Sequence, residues 1–157
     1  MERSLDFTPR QAFSYRSDPT VPSFADDRPI IIFDGMCVLC SGFARFIVRN
    51  DRRHRFRLLA AQSPIGTALY RHFRLDQTDY ETNILLENGH ASLKSEASIR
   101  IFERLGLPWS LLSIARLLPL QLRDRIYECV ARNRFRWFGV RTTCYRADPS
   151  DTDRFLQ

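Results

Sequence analysis

Two of the chain's four cysteines, Cys37 and Cys40, stand three residues apart. A thiol attacks a disulfide only as its thiolate, so such a pair is useful where something lowers the pKa of one member. The first turn of a helix does this, because its unpaired backbone N–H groups and its dipole favour negative charge. The spacing sets the second thiol about one turn further along the same face, within reach of a mixed disulfide formed on the first. Cys37 is therefore the expected nucleophile and Cys40 the resolving thiol. Asp34, three residues before Cys37, has two readings. It is a short acceptor capping the turn or the helix start, or a carboxylate that exchanges protons with the thiols. Cys37, Cys40 and Asp34 make up the candidate catalytic set. Val38 and Leu39 carry no charge, so the direction of electron flow is not encoded between the cysteines.

The elements that must position this set follow from the apolar pattern. Pro29 precedes Ile30, Ile31, Ile32 and Phe33, a short β-branched run that reads as a strand buried on both faces, closed by the turn pair Asp34-Gly35. Leu39, Phe43, Phe46 and Ile47 then recur at helical spacing, which predicts a helix over about 37–51 with both cysteines in its first turn. A second strand is expected over 56–60 and a short helix opening at Pro64. A third strand over 82–87 turns at Asn88-Gly89 into a return strand over 90–93. A helix from Ser95 follows, then helical segments over 109–117 and 120–133. The order strand-helix-strand-helix-hairpin-helix predicts an α/β domain with a thioredoxin-like core and extra C-terminal helices. The cysteine pair just after the first buried strand favours this topology over other α/β arrangements.

A length of 157 residues with 44% hydrophobic content fits one core. Residues 1–28, rich in Ser, Pro, Asp and Arg, predict a flexible or loosely docked arm. Residues 29–145 form the domain, and residues 146–157 a polar tail. The arm shows no secretory signal, and the longest apolar stretch, residues 105–122, is interrupted by Pro108, Arg116 and Pro119 and is too short to span a membrane. One close cysteine pair without a disulfide framework suits a reducing compartment, and the cytoplasm is the default expectation.

Other chemistries fit less well. Zinc would require further ligands, but Cys129, Cys144, His54, His72 and His90 are scattered. A phosphatase-type thiolate would require an arginine six positions on, where Phe43 and Phe46 stand; the second Asp of a dehalogenase-type phosphotransferase is replaced by Met36. The net charge of +6 comes almost wholly from arginines spread along the chain, which reads as a solvated basic surface rather than a nucleic-acid site. Cys129 is expected in the core beside Leu122, Ile126 and Val130. Cys144 is expected to be a buried or idle thiol. In residues 132–138, Trp137 and Phe138 should pack the tail while the arginines stay wet, and the run from Trp109 to Leu118 should pack into the core rather than touch a membrane surface.

The segment Asp34-Gly35-Met36-Cys37-Val38-Leu39-Cys40 resembles the signature of the DCC family of thiol-disulfide oxidoreductases. In the same order come Gln62-Ser63-Pro64-Ile65-Gly66, Ser95-Glu96-Ala97, and Ala131-Arg132-Asn133-Arg134-Phe135-Arg136-Trp137-Phe138-Gly139. The resemblance runs from about Pro29 to Cys144 and implies a thioredoxin-like fold and a redox function; a cysteine at the place of Cys144 is frequent in that family. Ordinary thioredoxins carry a cis-proline before the third strand, and residues 79–82 here contain none. The expected activity is dithiol-disulfide exchange without cofactor or metal, on a protein or small-molecule thiol or disulfide. The rival is a thioredoxin-like binding module whose cysteine pair is a structural disulfide or metal clip.

Overall fold

The computed structural model describes residues 11–156. Strands β1 (Ile30–Phe33), β2 (Arg57–Ala60), β3 (Ile84–Glu87) and β4 (His90–Leu93) form one sheet in the order β2-β1-β3-β4. β1 runs parallel to β2 and antiparallel to β3, which pairs with β4 through the hairpin that Asn88-Gly89 predicts. Helices α1 (Val38–Asn50), α2 (Pro64–His72), α3 (Lys94–Leu105) and α4 (Leu120–Phe138) complete a mixed α/β, thioredoxin-like fold.

The continuous apolar run of β1 is explained by helices on both faces. Ile30 and Ile32 pack with Leu59, Ile65, Leu69 and Leu86 on the α2 side, whereas Ile31 packs with Ile47, Leu85, Ala97 and Ile101 on the side of α1 and α3. At the end of β1, Phe33 joins Cys37, Cys40, Ala44 and Leu58 in a third cluster, so the cysteines grow out of the core.

Of the two readings of the N-terminal arm, flexible or loosely docked, residues 11–28 take the docked one. Phe13, Tyr15, Val21 and Phe24 pack on the α2-side core, and the Tyr15 hydroxyl donates to Asp26 at 2.7 Å. His72 of α2 meets Ser14 Oγ at 2.9 Å and Asp18 Oδ2 at 2.7 Å, while residues 1–10 of the arm lie outside the described residues. Spaced aromatic anchors give no periodicity, and hence no signal in a pattern-based reading. The tail is docked as well. Phe155 bridges to Leu58 along the outer edge of β2, and the Leu156 N–H donates to the Leu58 carbonyl at 2.9 Å, covering a strand edge that would otherwise be open. Arg154 is buried against Asp51 at 2.9 Å. The segment Trp109–Leu117 is a 3-10 helix with no buried residue, so it is not core. Among the described residues, no helix is long and apolar enough to cross a membrane.

Candidate active site

Cys37 is the N-cap of α1. Its extended backbone (φ −83°, ψ 128°) turns the chain from the loop after β1 into the helix, and its Sγ accepts the Cys40 N–H at 3.3 Å. A side-chain acceptor at this position satisfies one of the orphan N–H groups of the first turn. Sulfur does here what Ser or Asp does at other helix starts, and it does so better as an anion. The Cys37 thiol is accordingly pulled down to about 6, first by the hydrogen bond from the Cys40 side chain. Burial opposes that effect, while the Cys40 N–H and the positive charge of Arg134 add to it, and Asp34 works weakly against them. Cys40 moves the opposite way. Its hydrogen bond to Cys37, its burial and the Cys37 charge hold its proton on. One thiol is thus poised as an anion and its neighbour as a proton-bearing partner.

Asp34 is buried at the start of the turn that leads to the pair. Its Oδ1 accepts the Met36 N–H at 2.9 Å and Gln62 Nε2 at 2.6 Å; its Oδ2 meets Arg134 NH2 at 3.2 Å. Both oxygens are engaged, as in a turn cap tied into an ion pair. Gln62 also accepts the Gly35 N–H at 3.0 Å, so one amide spans the turn that presents Cys37. Cys144 packs over that turn. A Cβ on Gly35 would fall 2.5 Å from Cys144 Sγ, which is why the turn has glycine there. Burial, with the nearby Asp34 charge, raises the Cys144 thiol above its ordinary value.

Arg134 is the residue that sequence reasoning misplaced. Expected to stay wet, it is buried, whereas Trp137 and Phe138, expected to pack, are about half exposed. Besides Asp34, the guanidinium meets Asp79 Oδ1 at 3.1 Å and the Asp79 and Ala131 carbonyls, and it lies 4.1 Å from the centre of the Phe135 ring. Residues 79–82, which lack the proline of ordinary thioredoxins, are therefore held to the site by an arginine. The inward face of α4 carries Tyr127, Ala131 and Arg134 at i, i+4, i+7, and this leaves Cys129 on the exposed outer face rather than in the core. The positions 127, 131 and 134 were the available signal; an arginine in such a stripe marks a buried charge partner elsewhere.

Access to the sulfurs is unequal. Cys37 is sealed under residues 139–141, through a bridge to Val140 and a hydrogen bond from the Arg141 N–H to the Met36 carbonyl at 2.7 Å. Cys40 instead borders a cavity of about 180 Å³ walled by Leu39, Phe43, Val130, Tyr127 and Arg134. That volume resembles cavities that hold a single aromatic ring. No three His, Cys, Asp or Glu side chains among the described residues converge as metal ligands.

Comparison with known proteins agrees with the geometry. The chain is 33% identical over 127 residues to the uncharacterized protein YuxK of Bacillus subtilis (strain 168), covering 81% of this chain and 93% of that one. It is 38% identical over 120 residues to the chloroplastic DCC family protein At1g52590 of Arabidopsis thaliana, covering 76% and 70%. No solved structure gives a significant match. The family profile described as DCC1-like thiol-disulfide oxidoreductase matches residues 31–140, which contain the cysteine turn, the Gln62 amide and Arg134. On that match, with the two relatives beside it, this chain belongs to the DCC1-like thiol-disulfide oxidoreductase family.

Proposed function

We propose that the protein catalyses dithiol-disulfide exchange with Cys37 as the attacking thiolate, Cys40 as the resolving thiol and Asp34 as a positioning residue. The observation that carries this reading is the Cys37 sulfur, seated as the N-cap of α1 and drawn to a pKa of about 6 beside a proton-bearing Cys40. The Cys37 thiolate attacks one sulfur of a disulfide, forming a mixed disulfide and expelling the other sulfur as a thiolate. Cys40 then gives up its proton to the medium and attacks the Cys37 sulfur. The Cys37–Cys40 disulfide forms, the second substrate thiolate leaves, and two electrons have passed to the substrate. The reverse sequence oxidises a dithiol. Substrate thiols or disulfides reach the pair either through the cavity beside Cys40 or after residues 139–141 swing away. One close cysteine pair without a disulfide framework suits a reducing compartment such as the cytoplasm.

The complete burial of Cys37 favours one rival, a binding module whose pair stays inert. Incubation of the reduced protein with hydroxyethyl disulfide, followed by intact mass, separates the two. Exchange should convert the pair to a disulfide with the loss of two hydrogens, whereas an inert pair shows no such loss, whatever adduct forms on the exposed Cys129. Asp34→Asn tests the role of the carboxylate. Asparagine still offers an oxygen to the Met36 N–H, and removing a negative charge that works against the thiolate shifts the pH–rate profile of exchange to lower pH with little loss at neutrality. A proton carrier would instead lose rate by about a hundredfold or more.

A further inference from the structure

The segment that follows α3 reverses the polarity expected of a surface element. In a 3-10 helix, side chains three residues apart eclipse one another, so Leu111, Ile114 and Leu117 stand in one row. They are 66%, 70% and 82% exposed, and Leu107 just before them is 78% exposed. The charged side of the same segment lies against α3, with Arg116 itself still partly exposed. Arg116 pairs with Glu103 at 2.8 Å and with Glu96 at 3.1 Å on α3, and the Trp109 indole N–H donates to Asn50 at the end of α1 at 3.1 Å. Single exposed leucines are ordinary, but an aligned apolar row held outward by ion pairs at its back marks an interaction surface.

At the Leu107 end of this row lies a cavity of about 400 Å³ whose lining includes Arg52, Arg53, Arg55 and Arg104. Arg104 is paired with Glu87, but Arg52 and Arg53 are exposed and have no ion-pair partner among the described residues. The one acid in the lining, Asp51, is already taken by Arg154 and by the Phe56 N–H. A second copy of the chain would bring these like charges together, whereas a surface of phosphate head groups over acyl chains complements both features.

We propose that the row of Leu107, Leu111, Ile114 and Leu117, with the arginine cavity at its end, docks the protein on an anionic phospholipid membrane. The leucine row enters the boundary between head groups and acyl chains, and the guanidinium groups meet the phosphates. The cysteine pair lies at the other end of α1, whose 13 residues span about 20 Å. Docking therefore leaves the pair free.

The test is co-sedimentation of the full chain with vesicles of phosphatidylcholine mixed with phosphatidylglycerol, and with vesicles of phosphatidylcholine alone. Binding to the mixed vesicles only, weakened by salt, is the expected result. Arg52→Glu with Arg53→Glu should reduce affinity by about five-fold for each charge lost, and Leu111→Asp with Leu117→Asp by more than ten-fold. All four side chains are exposed, so melting temperature and exchange with hydroxyethyl disulfide should match the parent for both variants. Three results overturn the proposal: no binding to the mixed vesicles, equal binding to both kinds, or a stable dimer in solution that Leu117→Asp splits, since the apolar row would then belong to a second copy.

Discussion

Cys37→Ser is expected to abolish disulfide exchange, while Cys40→Ser arrests it as a stable mixed disulfide on Cys37. The asymmetry follows from the site. Cys37 alone is held as an anion at the helix cap, whereas Cys40 keeps its proton until it is needed. Serine at position 40 still offers a hydroxyl proton to the Cys37 sulfur, so the thiolate survives and captures substrate, but nothing remains to release it. Cys40→Ala removes the donor as well. Because that hydrogen bond is the largest influence on Cys37, the alanine variant should show a Cys37 pKa moved up toward the free-thiol value of about 8.5. The same reagent, hydroxyethyl disulfide, reads the two serine variants by peptide mass, which separates an adduct on Cys37 from one on the exposed Cys129, and the pH dependence of alkylation reads the alanine variant. Capture by Cys37→Ser equal to that of the parent would shift the attack to another thiol.

The second large effect is at Arg134. Replacing it with methionine keeps most of the packing but leaves the Asp34 carboxylate buried without its charge partner. Breaking such a pair from one side costs about 3–5 kcal/mol, which for a domain of this size lowers the melting temperature by about 10 °C. Arg134 also helps to hold the Cys37 thiolate, so the variant should combine lower stability with a higher Cys37 pKa. Adding Asp34→Asn should recover part of the lost stability, because the orphaned charge is gone; simple additivity of the two changes would show that the ion pair is not the coupling. Thermal melts of the single and double variants decide this.

What the sequence revealed about this fold was whatever recurs at short range. Ile30 to Phe33, the Asp34-Gly35 turn and the apolar period after Cys37 were enough to place β1, the active turn and α1, because each depends on neighbours in the chain. Asn88-Gly89 fixed the hairpin for the same reason. Arg134 was hidden because a charge carries no record of a partner a hundred residues away. Its helical phase with Tyr127 and Ala131 is legible in the chain, but the apolar stripe of Leu122 and Ile126 points to the face that the structure leaves exposed. The leucines of 107–117 misled in the same way: composition shows that a segment is apolar, while only tertiary structure shows which side is covered. A helix terminus alone predicts a lowered Cys37 pKa, yet the largest contribution comes from Cys40, whose expected role is resolution.

The most direct test of the account is the pH dependence of alkylation at each cysteine, measured by peptide mass after timed exposure of the reduced protein to iodoacetamide. A group depressed to about 6 is mostly thiol below that pH and thiolate above it, so the Cys37 rate should rise with a midpoint near pH 6 and level off by neutrality. Cys40 should stay silent across the same range, and Cys144, raised by burial, should react only at alkaline pH. A Cys37 midpoint at or above the free-thiol value of about 8.5 would contradict the account, since no thiolate would then stand at the head of α1 to begin the exchange.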